Sequence, residues 1–98
     1  MIVEWLKFQV PPDKHALFIQ SDKQIWTTVL ASYPGYLSKQ IWVNPLHPDE
    51  LIIIIHWETL ESWKIIPADV LADTDYQFVI AMNQSFPLLE GLEINVCG

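Results

Sequence analysis

One cysteine, three glycines and five basic residues are all that this 98-residue chain carries of those types, and each scarcity excludes something. A lone cysteine, Cys97, cannot close an internal disulfide, so no disulfide framework holds the fold. Five basic residues against twelve acidic ones give a net charge of −7. That balance argues against a nucleic-acid partner, which needs clustered Lys or Arg, and against docking on an anionic membrane. The sequence has no apolar run of transmembrane length. It has no glycine-rich phosphate loop and no nucleophile elbow. His15, His47 and His56 lack zinc-like spacing, so no metal site is expected. The N-terminus lacks a basic region followed by an apolar stretch and a small-residue cleavage site, so a cytoplasmic location is expected.

What is present is apolar. Hydrophobic residues make up 51% of the chain and charged residues only 17%, with five tryptophans. A small domain is mostly surface, so this composition implies apolar area that must be hidden, most simply by self-association. Leu51 to Trp57 reads Leu-Ile-Ile-Ile-Ile-His-Trp. A strand with one wet face alternates apolar and polar residues; this one does not, so it reads as a strand covered on both sides.

The other elements fall around it. Ile2 to Val10 reads as a strand with one mostly apolar face, ended by Pro11 and Pro12. A helix is expected from about Pro12 to Ser32, with Phe18, Asp22, Ile25, Val29 and Tyr33 along one stripe. Pro34-Gly35 stops it. Tyr36 to Asn44 is a second strand, and Asn44 to Glu50 a proline-bearing hairpin loop. Thr59 is a plausible N-cap for a short helix over Leu60 to Ile66, which Pro67 interrupts. A helix from Ala68 to about Ser85 turns Leu71, Thr74, Phe78 and Met82 inward. Leu88 to Val96 is the fourth strand, with Gly91 as a possible bulge.

The order β-α-β-β-α-β, with right-handed crossovers, gives an α+β, ferredoxin-like fold over residues 1–98. Its antiparallel sheet has strand order 4-1-3-2, so the all-apolar strand three falls in the centre. Both helices cover one face. The bare opposite face is expected to meet that of a second copy.

Several segments carry a resemblance. Val10-Pro11-Pro12 leads into the first helix, Tyr33-Pro34-Gly35-Tyr36 precedes strand two, and His56 to Trp63 joins a strand-end Trp to an acidic cap and a helix aromatic. The pattern resembles the dimeric α/β-barrel superfamily that contains the antibiotic-biosynthesis-monooxygenase-like (ABM) domains. Ile2 to Phe8 and Ile41 to Pro45 further resemble a family of short proteins from photosynthetic bacteria. The resemblance implies a homodimer with a small pocket in each subunit. It leaves several activities open, since fold does not choose among them. Haem-degrading relatives place an Asn on strand one and a haem-ligating His on the helix after the middle one. Here Glu4 and Trp5 lie near the Asn slot, and the helix from Ala68 to Ser85 has no histidine. No cofactor is therefore expected.

Two residues are candidates for acid–base chemistry. His56 ends the apolar strand in phase with Ile52 and Ile54, and an imidazole titrates near neutrality. Glu4 sits on the apolar face of strand one, where a carboxylate needs a partner or a proton. Either Glu4 pairs with His56 across the central strands, or it reaches water or pairs with Lys7 or Lys39. Indoles suit a flat aromatic ligand and a dimer interface equally well. By the resemblance, Trp57 and Trp63 flank the pocket; Trp5, Tyr33, Asn44 and Gln77 are further candidates for substrate contact. Asp69, Asp73 and Asp75 with Glu58 and Glu61 read as a solvated acidic zone. Two functions follow. One is a monooxygenase-like protein that binds a small aromatic or hydrophobic metabolite and oxidises it without a cofactor. The other is a non-catalytic ligand-binding or dimeric interaction module of the same fold.

Overall fold

A computed structural model describes residues 1–98. Four strands, β1 (Ile2–Gln9), β2 (Tyr36–Asn44), β3 (His47–Trp57) and β4 (Leu88–Asn95), form one sheet in the order β2-β3-β1-β4. All neighbouring pairs are antiparallel. This is the expected ferredoxin-like topology, with β1 and β3 central. The sheet is open, and β2 and β4 are its edges, so a single chain forms no closed barrel. No helix is long and apolar enough to cross a membrane.

The first crossover is one helical stretch of changing pitch. A 3₁₀ turn at Pro12–Lys14 enters α1 (His15–Asp22), a π-helical turn follows over Lys23–Thr27, and α2 (Thr28–Leu30) ends it. The expected uniform helix thus widens by one residue in its middle, directly after Asp22. The chain reverses at Gly35, whose φ of 91° lies where a side chain is strained. A Cβ there would also collide with the Ser62 side chain. The Gly35 carbonyl accepts from the Glu58 amide at 2.8 Å. This close approach ties the start of β2 to the start of α3 (Leu60–Lys64). Thr59 caps α3, its hydroxyl accepting from the Ser62 amide at 3.1 Å. Pro67 then opens α4 (Ala68–Met82), which ends on a left-handed Asn83.

Two local expectations are corrected. The expected loop from Asn44 to Glu50 is mostly strand: β3 begins at His47, and Asn44 closes the hairpin by accepting from the Leu46 amide at 3.0 Å. The register shift in β4 lies opposite Lys7 and Phe8, not at Gly91, which pairs regularly with Leu6.

Alternation decides what each face of β3 meets. Leu51, Ile53, Ile55 and Trp57 turn toward the helices and join Phe18, Leu30, Phe78 and Met82 in the core. Phe18 anchors an aromatic cluster, edge-on to Phe78 at 5.0 Å and to Phe86 at 5.5 Å. Ile52, Ile54 and His56 turn to the opposite face. Registration puts Trp5 and Gln40 on either side of Ile54, which is only 2% exposed even in the single chain. Beyond that central residue the face stays open, with Trp42 48% and Leu92 44% exposed.

Candidate functional site

Between the sheet and the helices lies a cavity of about 330 Å³, the lower end of the size that holds a small organic ligand. Thirteen of its eighteen lining residues are hydrophobic. The aromatic part of the wall comes from Phe8, Phe18, Trp26, Trp63, Phe78 and Phe86. Each element contributes by a local rule. Glu4, Leu6 and Phe8 are the inward alternation of β1, and Ile53 and Ile55 that of β3. Asp22 and Trp26, four residues apart, share the cavity side of this stretch, and the π-helical turn begins directly after Asp22. Single π-turns inside α-helices are recurrent at functional sites.

Against this apolar wall stands one ion pair. Lys39 Nζ lies 2.8 Å from Asp22 Oδ1 and 2.7 Å from Asp22 Oδ2. The two side chains are 5% and 4% exposed. Burial pushes the Lys39 ammonium below the ordinary lysine range, with Asp22 and Glu4 opposing the shift. Burial likewise raises Asp22, against the pull of Lys39.

Glu4 lines the same cavity. Its Oε1 accepts a hydrogen bond from Trp57 Nε1 at 3.2 Å. Burial raises its carboxyl above the ordinary glutamate range, while the indole bond, Lys39 and Lys64 pull it down. Trp57 is wholly buried and meets Tyr36 edge-on at 5.8 Å, so the indole that holds Glu4 is itself fixed. A half-buried carboxyl, a buried ammonium and its carboxylate partner beside an aromatic cavity can bind a polar atom of a ligand and exchange a proton with it.

The sequence-derived candidates divide sharply. Glu4 and Trp63 line the cavity, and Trp57 supports Glu4 from behind. His56 does not meet Glu4. Registration pairs His56 with Val3 and Glu4 with Ile55, and successive side chains alternate, so the two point to opposite faces. The His56 Nδ1 instead bonds the Ser38 hydroxyl at 3.1 Å. Trp5 shares the open face and donates from Nε1 to Glu90 Oε1 at 2.8 Å. Asn44 closes the hairpin. Gln77 is exposed on α4, donating to Asp73 at 2.9 Å. Tyr33 packs against the core outside the cavity wall. Asp22, Lys39 and Trp26 were not among those candidates. Their one signal in the sequence is Asp22 itself, a carboxylate on the inward stripe of a helix between Phe18 and Ile25.

Residues 1–65 match the family described as antibiotic biosynthesis monooxygenase. Among solved structures, a protein from Bordetella bronchiseptica named for the same activity aligns with a TM-score of 0.72 at 17% identity, over 98% of this chain and 96% of that one. The monooxygenase ActVA-Orf6 of Streptomyces coelicolor, solved with nanaomycin D, aligns at 0.69 and 16% identity, over 99% and 88%. SnoaB, a cofactor-independent oxygenase from Streptomyces nogalater, aligns at 0.65 and 12%, over 99% and 91%. These likenesses concern the fold. The narrower resemblance to a family from photosynthetic bacteria gains no support from them. No curated protein matches the chain.

Proposed function

Since the chain belongs to the antibiotic biosynthesis monooxygenase family, we propose that it binds a small aromatic or hydrophobic metabolite between its sheet and its helices and oxidises it in the cytoplasm. The reaction uses no metal and no flavin. The substrate itself loses a proton and passes an electron to dioxygen, so the protein supplies an acid–base group and a dry cavity. Glu4 is that group. Trp63 and the neighbouring aromatic rings hold the flat face of the substrate, and Trp57 fixes the Glu4 carboxyl. The single observation that carries this reading is the coincidence of an aromatic cavity with a half-buried carboxyl and a buried ammonium. The fold is shared with an oxygenase named as cofactor-independent and with a monooxygenase solved in complex with nanaomycin D.

The working unit is a homodimer that stacks the open faces of two sheets and completes a barrel over residues 1–98. Trp42, Ile52 and Leu92 lie on that face, and exposed indole and aliphatic surface of this kind is buried in stable interfaces. Trp5 and Trp42 sit on the open face and not on the cavity wall, which favours a second reading: a dimeric ligand-binding module without turnover.

Native mass spectrometry against a panel of phenols, quinols and their hydrocarbon parents, with oxygen uptake recorded in parallel, separates the two. One bound ligand per chain with oxygen consumption supports the enzyme. Binding without oxygen consumption supports the module. No binding by any member of the panel removes the cavity from the account.

A further inference from the structure

The polar groups of the cavity are incompletely used. An ammonium has three N–H donors. Lys39 has no acceptor other than the two oxygens of Asp22, so at least one N–H is free to serve a ligand. Glu4 accepts one hydrogen bond, at Oε1, and Oε2 has no partner. Both side chains line the cavity, and the Glu4 carboxyl feels the Lys39 charge. An unused donor and an unused acceptor thus line one mostly apolar space, whose polar residues besides Glu4, Lys39 and Asp22 are Asp75, exposed on α4, and Ser85. A hydrocarbon would exclude water from both and leave them unsatisfied, which is costly. A ligand ammonium would satisfy Glu4 and repel Lys39. A hydroxyl group satisfies both, accepting from Lys39 and donating to Glu4.

We propose that Lys39, held by Asp22, is the specificity-determining residue of this cavity, and that with Glu4 it selects ligands bearing an acidic hydroxyl, a phenol or an enol, on an apolar body. On binding, the O–H bond breaks and its proton passes to Glu4 Oε2. The products are a neutral carboxyl and an aryloxide beside the Lys39 ammonium, and the net charge of the site is unchanged. Desolvation prepares the transfer, because burial makes the Glu4 carboxyl a stronger proton acceptor than an exposed glutamate. Asp22 is a positioning residue. It holds the ammonium at 2.7–2.8 Å beside the cavity that both residues line.

This inference rests on the cavity reading above, and one pair of probes separates the two. Para-nitrophenol and its methyl ether, para-nitroanisole, have nearly the same shape, but only the phenol can donate and ionise, and only its anion is yellow. In buffer acid enough to keep the free phenol colourless, the protein is expected to bind the phenol about tenfold or more tightly than the ether, the scale of one buried polar group left unpaired. The bound phenol is expected to turn yellow. The double variant Asp22→Asn/Lys39→Met, which removes the pair without leaving a lone charge, is expected to bind both probes equally and to leave the phenol colourless. Glu4→Gln is expected to keep the preference, through Lys39, and to lose the colour. Equal binding of the two probes by the wild-type protein overturns the inference and leaves the cavity reading standing. A preference that survives in the double variant also overturns it. Failure of both probes to bind overturns the inference and the cavity reading together.

Discussion

Asp22 grips Lys39 with both carboxylate oxygens, at 2.8 and 2.7 Å, where the two side chains are almost sealed from solvent. The pair joins α1 to β2 across the wall of the cavity. In so dry a place each charge depends on the other: breaking a buried pair by removing one partner typically costs about 3–5 kcal/mol, whereas replacing both partners is often close to neutral. Lys39→Met and Asp22→Asn singly are therefore expected to destabilise the protein strongly. The double variant is expected to regain most of the loss. Urea denaturation of the four proteins closes the cycle, and additive losses would show that the two groups do not depend on each other.

The Glu4 carboxyl gives the fold a pH dependence of definite sign. Burial raises its proton affinity in the folded chain above that of an ordinary glutamate, and the Trp57 indole, Lys39 and Lys64 only partly reverse this. A carboxyl raised in the folded state favours folding most at low pH. That contribution is complete below the unfolded value and is lost as pH rises through the folded value. Glu4→Gln keeps an acceptor for the indole and removes the titration. The stability of the variant relative to wild type is thus expected to increase as pH is raised from below the ordinary glutamate range to neutrality. Urea midpoints at a series of pH values measure this, and a difference constant with pH would show that Glu4 is not perturbed.

Gly35 tests how the turn before β2 positions the cavity wall. Its left-handed φ and its closeness to Ser62 both oppose a side chain. Gly35→Ala is expected to cost about 1–3 kcal/mol from the backbone alone, with the steric conflict added. Because the displaced residue would be Ser62, next to Trp63, tryptophan emission is expected to change as well. Adding Ser62→Gly relieves the clash but not the φ, so it should recover part of the loss. Full recovery would assign the whole effect to the clash.

The opposite roles of the two faces lead to a paired prediction. Trp42→Glu places a charge on the open face and is expected to convert the proposed dimer into a monomer without moving the cavity. His56→Ala, on that same face, is expected to leave aromatic binding unchanged, and Glu4→Gln to reduce oxygen uptake in any active assay. Light scattering and ligand titration read the outcomes. A Trp42→Glu protein of unchanged mass would remove the open face as the dimer surface, and loss of binding in His56→Ala would return that residue to the site.

The architecture was legible because it depends on repetition. Alternation in β1, the unbroken apolar run of β3, the inward stripe of α4 and the Thr59 cap each state a local preference that the sheet order satisfies. The Leu51 to Trp57 run reads as covered on both sides; the fold turns its odd members to the helices and its even members to a face that is open in the single chain. The site was only half legible. Glu4 and Trp63 were visible as a carboxylate on an apolar face and an aromatic at a helix start. The supposed Glu4–His56 pair failed because adjacency of strands does not fix phase: one residue of register sends a side chain to the other face. Lys39 was visible only as one possible partner of Glu4, since it lies on an edge strand with mixed alternation and its closest partner, Asp22, comes from a separate element, α1. The π-helical turn beside Asp22 has no sequence signature in Lys23–Thr27.

The most direct test is a crystal structure of the protein soaked with a small hydroxylated aromatic. The ring is expected between the sheet and α1 and α4, against Trp26 and Trp63, with its oxygen within hydrogen-bond distance of Lys39 Nζ and Glu4 Oε2. A ring bound instead on the open face, beside His56 and Trp5, with the space under the helices unchanged, would contradict the cavity reading.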